Sequence, residues 1–293
     1  MMSVRNSAIV KAPQDLSEPP YNQGILKLKG LSVIESCTHT QSTKGTMFLE
    51  DHLLLFVLEG MYTVRFGNQE YTVHKNEMIL LQKSIVVEYE KSGDPDSTYL
   101  LDYMMFFLKE DVLGEFIKLV EFKSSYPALL VPVCVHSVND RLVSYLESLK
   151  PYFKESDKIN DGLVKLKLLE LLFDVVDADN RFMFQFLQLK HKTRKGIAEV
   201  IEENFMNPVS ISDLAFLSGR SLSSFKREFQ AMYNTSPLQW LRNRRLDKAE
   251  ELLTHSNLSV TDICFTIGFE NVAHFSKVFK KRFGYPPSAL KRG

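Results

Sequence analysis

The sequence predicts an α+β chain of two domains: an N-terminal β-barrel with trailing helices, and a C-terminal all-α domain with two helix-turn-helix units joined by a long helix. Three observations carry this prediction. Short β-rich runs fill the first third, helical periodicity follows, and the last third contains an internal repeat. At 293 residues and 44% hydrophobic content, the chain is long enough to bury two cores.

The barrel is predicted between Ile25 and Leu108, where short apolar runs alternate with turn residues. The runs are ILKLKGLSVIES, HLLLFVLEG, MYTVRF, QEYTVH, EMILLQ, SIVVEYE and TYLLDYMMFFL. The breaks fall at Glu59-Gly60, Gly67-Asn68, Lys75-Asn76 and Ser92-Gly93-Asp94-Pro95-Asp96. Such residues tolerate tight turns and positive φ, and about seven short strands suggest a small barrel or sandwich. The side facing the interior stays ambiguous in almost wholly apolar runs such as HLLLFVL.

The period then becomes helical in EDVLGEFIKLVEF, VNDRLVSYLESLKPYF and INDGLVKLKLLELLFDVV. Apolar stripes are predicted at Leu142, Leu146 and Leu149 in the second segment, and at Leu163, Leu166, Leu169, Leu172 and Phe173 in the third. These stripes must be buried against the barrel, each other or a second subunit. Intramolecular core and a dimer interface therefore both remain open.

The repeat is the strongest signal in the chain. Residues 210–237, SISDLAFLSGRSLSSFKREFQAMYNTSP, recur as residues 259–287, SVTDICFTIGFENVAHFSKVFKKRFGYPP. Ser210 and Ser259 are suitable N-caps, each with an aspartate three residues later, and Gly219 and Gly268 suit a sharp turn. Each copy is therefore predicted to be helix, turn and helix.

The second helix of each copy has an apolar stripe, predicted to be buried, and an opposite polar face. The stripes are Leu222, Phe225, Phe229 and Met232, and Phe275, Val278, Phe279 and Phe283. The polar faces are Ser223, Ser224, Lys226, Arg227 and Gln230, and Asn271, Ala273, His274, Lys277 and Lys281. A small, polar and basic face suits the major groove of DNA.

The distribution of charge agrees with a polyanionic partner. The net charge is zero overall, but residues 190–293 hold 17 Lys and Arg against 10 Asp and Glu, a net of +7. The remainder holds 19 against 26, a net of −7. Clustered cations favour phosphate binding, so the duplicated unit is predicted to bind double-stranded DNA.

Between the two copies lies SPLQWLRNRRLDKAEELL, with Ser236 as N-cap and Pro237 at the first helical position. It predicts a long helix that fixes one unit relative to the other. One chain then reads two groove segments about one helical turn, ~34 Å, apart.

At these residues the sequence resembles the AraC/XylS family of transcription regulators. The resemblance covers about 100 residues. It runs through Leu214-Ala215, the S-x-x-x-F-x-R-x-F pattern from Ser221 to Phe229, Ser236-Pro237, Arg245-Leu246, Ala249, Leu252-Leu253, Ile263-Cys264, Ile267-Gly268-Phe269, Phe275 to Gly284, and Pro287. Two positions depart from the family pattern: Lys277 replaces a more usual arginine, and Asn234 stands where glycine is common. Asparagine also tolerates the left-handed conformation.

The resemblance implies that both second helices face the major groove. The predicted DNA-binding residues are Arg220, Ser221, Ser223, Ser224, Lys226, Arg227, Asn271, Val272, Ala273, His274, Lys277 and Lys281. It also implies a transcription regulator, more often an activator than a repressor, with RNA polymerase as a further partner.

The resemblance implies a cupin-like N-terminal domain that binds a small-molecule effector or a regulatory protein, and a homodimer. The sequence does not choose between the two kinds of signal and assigns no effector-binding residue. The expected organisation is an N-terminal arm at 1–24, a cupin-like regulatory and dimerisation domain at 25–180, a linker at 181–192 and the DNA-binding domain at 193–293.

A cupin-type metal enzyme with a basic helical appendage is the alternative. Such an enzyme needs a cluster of His and carboxylate ligands, and His39, His52, His74 and His136 form no H-x-H pair. No G-x-S-x-G, P-loop or G-x-G-x-x-G is present, so we expect no enzyme, no cofactor and no bound metal.

The three cysteines, Cys37, Cys134 and Cys264, are predicted to be small buried residues without a partner histidine. No apolar run of about 18 residues and no signal peptide are evident, so a soluble protein of the bacterial cytoplasm with no membrane contact is expected.

Overall fold

The structure is a computed structural model that describes residues 9–17, 23–66, 69–93, 100–120, 133–190 and 195–290. The chain divides into two compact units, Ile9–His191 and Lys192–Gly293. Most of the predicted arm and the predicted turns at Gly67-Asn68 and Asp94-Pro95-Asp96 lie outside the described residues. The expected α+β class, with a sheet-rich first unit and a helical second unit, is confirmed.

Two sheets form the first unit. The five-stranded sheet has the order β1 (Val10–Ala12), β4 (Thr43–Leu49), β9 (Val86–Ser92), β6 (Met61–Phe66) and β7 (Gln69–His74). The six-stranded sheet has the order β11 (Val135–Ser137), β8 (Glu77–Leu81), β5 (His52–Glu59), β10 (Leu101–Leu108), β3 (Leu31–His39) and β2 (Gly24–Leu28). All described pairs are antiparallel except β1 with β4, which is parallel.

Strand β5 explains why the sequence left its inward side ambiguous. Leu53, Leu55 and Val57 lie in the core between the two sheets, whereas Leu54 and Phe56 lie in a second core under the helices. Successive side chains of a strand point to opposite faces, and here both faces are covered. A strand buried on both sides is apolar throughout, so alternation cannot reveal its orientation.

Four helices cover the six-stranded sheet on the side of the second core. They are α1 (Glu110–Leu119), α2 (Asp140–Phe153), α3 (Asp161–Ala178) and α4 (Arg181–Lys190). The predicted stripe of α2 is confirmed, since Leu142, Leu146 and Leu149 are buried. Helix α4 falls in the segment 181–192 that was predicted as a linker, and its Phe182 and Phe186 are fully buried in this core. The linker prediction thus misplaced a core helix.

The predicted stripe of α3 is wrong in part. The buried side chains are Val164, Leu168, Leu169, Leu171, Leu172 and Val175, while Leu166 is 64% exposed and Leu163 and Phe173 are 37% and 42% exposed. Helix α3 is apolar around most of its circumference, so periodicity does not define one face. The packing of α3 against β2, α1 and α2 decides which residues are buried.

The second unit contains six α-helices among its described residues. They are α5 (Ile197–Asn204), α6 (Ile211–Leu217), α7 (Leu222–Tyr233), α8 (Pro237–His255), α9 (Val260–Thr266) and α10 (Val272–Phe283). Helix α8 begins at Pro237 with Ser236 as its N-cap, as predicted, because the Ser236 side chain accepts a hydrogen bond from the Gln239 amide. No described helix is long and apolar enough to span a bilayer.

Candidate nucleic-acid interface

The two predicted helix-turn-helix units begin with the same capping structure. The Ser210 hydroxyl accepts from the Asp213 amide, and the Asp213 carboxylate accepts from the Ser210 amide at 2.8 Å. Ser259 and Asp262 make the same reciprocal pair at the start of α9. Each box satisfies two amides that an α-helix leaves unpaired at its N-terminus, so both short first helices start at a defined residue.

The turns use left-handed backbone where glycine was predicted. Gly219 has a φ of 68° and Gly268 a φ of 78°. At Gly268 a Cβ atom would lie 2.8 Å from the Met206 carbonyl oxygen, so this position also lacks room for a side chain. The second helix of each helix-turn-helix unit, α7 or α10, also ends in left-handed backbone, at Asn234 with φ 51° and Gly284 with φ 87°. These two helices are called the reading helices below. Asparagine thus adopts the conformation of the glycine that it replaces.

Aromatic residues hold each second helix to its unit. Phe225 and Phe229 are buried on α7, and Phe275 and Phe279 are buried on α10. The predicted stripe of α7 is wrong at its two ends, since Leu222 is 41% and Met232 58% exposed. The aromatic ladder continues instead at Tyr233, whose ring centroid lies 5.3 Å from that of Trp240 on α8. The face of α7 that packs inward is therefore set by the position of α8.

The opposite faces of α7 and α10 present most of the predicted DNA-binding residues to solvent. On α7 and its N-cap, Ser221, Ser223, Lys226 and Arg227 are exposed and Ser224 is half-buried. On α10 and its N-cap, Asn271, Ala273, His274, Lys277 and Lys281 are exposed and Val272 is half-buried. Ser221 and Asn271 also act as N-caps, accepting from the Ser224 and His274 amides. The solvent-facing side of each of these two helices, called its reading face below, therefore combines exposed cations with small polar groups.

Arg220 does not share this face. Its side chain is only 10% exposed, its Nε donates to Glu228 at 2.9 Å, and its Nη1 donates to the carbonyls of Ser218 and Lys195 at 2.6 Å each. The prediction that Arg220 contacts DNA is therefore replaced by a structural role. Arg220 joins α7 to the segment before α5, because its largely shielded guanidinium pairs its donors within the protein.

Arg245 is a second half-buried arginine, and it joins α8 to the loop after α5 and to the second helix-turn-helix unit. Its guanidinium donates to the carbonyls of Phe205 at 2.6 Å, Asn207 at 2.6 Å and Gly268 at 2.9 Å. Burial lowers its pKa to about 10. These bonds join the loop after α5 to the turn of the second helix-turn-helix unit. The planar guanidinium suits this role because it presents several donors in a fixed geometry.

Ion pairs on the surface add to the same framework. Arg244 pairs with Glu202 of α5 at 3.1 Å, and Arg282 of α10 pairs with Asp247 of α8 at 2.6 Å.

The sequence predicted that α8 connects the two helix-turn-helix units, but it did not predict the role of Arg245. The available signal was an arginine between the apolar positions Leu241 and Leu246, which are both buried.

The histidines considered for a metal centre have other contacts. His52 Nδ1 accepts from the Lys83 amide at 3.1 Å, His39 stacks on Tyr103, and His136 contacts Asp179 at 2.8 Å. Among the described residues no three His, Cys, Asp or Glu side chains are grouped so that they could hold a metal ion.

Two family models match the chain. The model described as a helix-turn-helix domain matches residues 214–293, and the model described as the ExsA N-terminal regulatory domain matches residues 52–188. The first match contains α7 and α10 in full, and begins within α6, the first helix of the first helix-turn-helix unit. The second contains most of the two sheets, helices α1 to α3 and most of α4 in the first unit.

Two curated relatives align over most of the chain, and a third aligns over about a third of it. The HTH-type transcriptional regulator ExsA of Pseudomonas aeruginosa is 23% identical over 271 residues, 91% of this chain and 95% of that protein. The virulence regulon transcriptional activator VirF of Yersinia enterocolitica is 24% identical over 81% of this chain and 88% of its own. The HTH-type transcriptional activator RhaS of Escherichia fergusonii is 36% identical over 32% of this chain and 34% of its own.

Two of the solved structures that are similar to this chain differ in how much of it they cover. Fatty-acid-bound ToxT of Vibrio cholerae aligns with 88% of this chain and 93% of its own, at 12% identity and a TM-score of 0.38. The DNA-binding domain of AdpA in complex with a target DNA aligns with 32% of this chain and 86% of its own, at 28% identity and a TM-score of 0.30.

Proposed function

The chain belongs to the AraC/XylS family of transcription regulators, and from this premise we propose that it binds promoter DNA through α7 and α10 together. The protein is a sequence-specific DNA-binding regulator. The observation that carries the proposal is the duplicated reading face: two helices of the same design expose cations and small polar side chains within one compact unit. Exposed residues of such helices read base edges, while neighbouring cations hold phosphates.

The framework around α8 supports simultaneous binding by both helices. Arg244 joins α8 to α5, Arg245 joins α8 to the second turn, and Arg282 of α10 pairs with Asp247 of α8. These contacts support a fixed position of the second reader relative to α8. We propose that the two reading helices enter adjacent major-groove segments on one face of DNA, about one helical turn apart. Within the reading set, Ser221, Ser223, Ser224, Lys226 and Arg227 belong to the first reader. Asn271, Val272, Ala273, His274, Lys277 and Lys281 belong to the second.

The regulatory direction that we propose is activation, with RNA polymerase as partner. This extends to the present chain the word activator that names two of its relatives, VirF and RhaS. The site of action that follows is the bacterial cytoplasm, where promoter DNA and polymerase are found.

For the first unit we propose a role in receiving a signal and in forming a homodimer. Leu163, Leu166 and Phe173 leave an exposed apolar surface along α3 that a second copy of the chain would cover. The signal belongs to one of two classes, a small-molecule effector or a regulatory protein. Either acts by shifting the population of chains that are competent to bind DNA and polymerase.

Salt dependence of DNA binding provides the first test. Lys280 is exposed on α10 beside the reading face, and we expect it to contact phosphate alone. The variant Lys280→Ala should weaken binding to the operator and to random duplex by the same factor. The slope of log affinity against log salt concentration should fall in magnitude by about 0.9, the value for one lost phosphate contact. Fluorescence anisotropy at several salt concentrations measures both quantities.

Lys248→Ala is the matched control, because Lys248 lies on α8 and pairs with Glu251 at 2.7 Å. It should leave the slope unchanged. An unchanged slope in Lys280→Ala, or an equal fall in the control, would contradict the proposed phosphate contact.

A further inference from the structure

A cysteine and a histidine of the first unit lie side by side where the sequence suggested no such pair. Cys134 Sγ is 3.0 Å from His136 Nε2. His136 is the central residue of β11 (Val135–Ser137), and Cys134 directly precedes the strand, two positions before His136. In extended backbone, side chains two positions apart point to the same side. The expectation that no cysteine has a partner histidine is therefore wrong for Cys134.

A carboxylate orients the histidine. Asp179 Oδ2 lies 2.8 Å from His136 Nδ1, and Arg181 holds Asp179 with Nη2 at 2.6 Å and Nε at 2.9 Å from the same oxygen. The Arg181 guanidinium holds the pKa of Asp179 well below its usual range, so the carboxylate is an acceptor. Arg181 Nη2 is 3.4 Å from His136 Nδ1, a weaker contact than that of the carboxylate. The Nδ1 atom therefore carries the proton.

This assignment leaves Nε2 of His136 as the acceptor for the thiol. Burial lowers the pKa of His136, which keeps the ring neutral at rest. Burial likewise raises the pKa of the Cys134 thiol, so the sulfur is protonated and donates to Nε2. The order of the groups is nucleophile, base and orienting carboxylate, the arrangement by which proteins activate a thiol during attack.

Access distinguishes Cys134 from the other two cysteines. Cys134 is half-buried, whereas Cys37 and Cys264 are buried, and burial raises the pKa of each of these two to about 11. Thiol reactivity follows thiolate formation and access. Of the three, Cys134 alone combines a neighbouring base with access to a small reagent.

We propose that Cys134 is a base-activated modification site for small hydroperoxides, with His136 as general base and Asp179 as positioning residue. The S–H proton moves to His136 Nε2 as the sulfur attacks the terminal oxygen of ROOH. An S–O bond forms, the O–O bond breaks, and the leaving alkoxide takes the proton from His136. One thiol and one hydroperoxide yield one sulfenic acid and one alcohol. The sulfur is oxidised by two electrons and the peroxide is reduced by two.

The position of the site connects its chemistry to two helices. Asp179 is the C-cap of α3, and its Oδ1 accepts from the Arg181 amide at the start of α4. A sulfenic acid on Cys134 replaces the S–H group that donates to His136. It therefore disturbs the His136–Asp179 contact at the junction of α3 and α4. Any effect of this change on DNA binding rests on the proposed function; the modification itself does not.

The test treats the full-length protein with cumene hydroperoxide and traps sulfenic acid with dimedone. Peptide mass spectrometry then follows each cysteine over time. Cys134 should be labelled at least about 10-fold faster than Cys37 and Cys264. His136→Gln should slow its labelling by about 100-fold, within the usual contribution of general acid–base catalysis. Asp179→Asn should slow it less, because the base remains but loses its charged partner.

His74→Gln is the matched control, since His74 is an exposed histidine of the same unit. It should leave the rate unchanged. Protection of Cys37 from labelling shows that each variant is folded, and Asp179→Asn decides the question if His136→Gln unfolds. Labelling of Cys134 no faster than of Cys37, or rates unaffected by both substitutions, would overturn the proposal. Because labelling is measured without DNA, such a failure is distinct from a failure of the regulator function.

Discussion

Replacing Arg227 and Lys277 together with alanine is expected to weaken binding to the operator by about 30-fold to 3 × 10⁴-fold, or about 2–6 kcal/mol. Arg227 lies on α7 and Lys277 on α10, and both side chains are exposed on their reading faces. A base-reading contact contributes about 1–3 kcal/mol of discrimination. The two losses should add, because the helices read separate segments of DNA.

The design of this experiment separates reading from general attraction. Each single variant, the double variant and the Lys248→Ala control are titrated against the operator and against random duplex at one salt concentration. Arg227→Ala should also relax the preference at one base position. Equal losses on operator and random duplex would remove both residues from the base-reading set. A double variant no weaker than Arg227→Ala would mean that only the first helix reads.

Replacing Arg245 with leucine is expected to lower the free energy of unfolding of the second unit by about 3–5 kcal/mol. The substitution removes the donors that pair with the carbonyls of Phe205, Asn207 and Gly268. Each buried carbonyl left without a donor costs about 1–3 kcal/mol, part of which water recovers after local rearrangement. A loss of this size is a large part of the stability of a typical domain, about 5–15 kcal/mol.

Urea denaturation followed by tryptophan fluorescence measures this change in the second unit specifically. Trp240 is the single tryptophan of the chain, and its ring packs against Phe229 and Tyr233 with centroids 6.0 and 5.3 Å away. Arg242→Leu is the matched control on the same helix, since Arg242 is exposed, and it should change stability by less than about 0.5 kcal/mol. Equal stabilities of the two variants would show that Arg245 does not hold the two helix-turn-helix units together.

The helices, caps and turns of the duplicated unit could be predicted closely from the sequence. Its signals are local: Ser210 and Ser259 cap the helix that follows them, and Gly219 and Gly268 adopt the left-handed turn directly after it. Each signal occurs in both copies of the repeat, so the pattern does not arise from a single chance match. The exposed basic face follows from the same periodicity, although the base that each side chain contacts does not.

Features that depend on packing between distant segments could not be predicted. The buried side of α3 is selected by β2, α1 and α2, and a helix with apolar residues around most of its circumference offers no single stripe to identify it. Arg220 was assigned to DNA by its place beside the reading helix, whereas its partners Glu228 and Lys195 are brought to it by the fold. The pairing of Cys134 with His136 did have a local signal, a spacing of two residues at the start of a short strand.

Selection of bound sequences from a random duplex library by the full-length protein, repeated at two salt concentrations, tests the central claim most directly. The two readers held by α8 predict a recovered motif of two short blocks whose centres lie about 10 base pairs apart, retained at both salt concentrations. Retention that is sensitive to salt and independent of sequence would contradict the claim that α7 and α10 read DNA together.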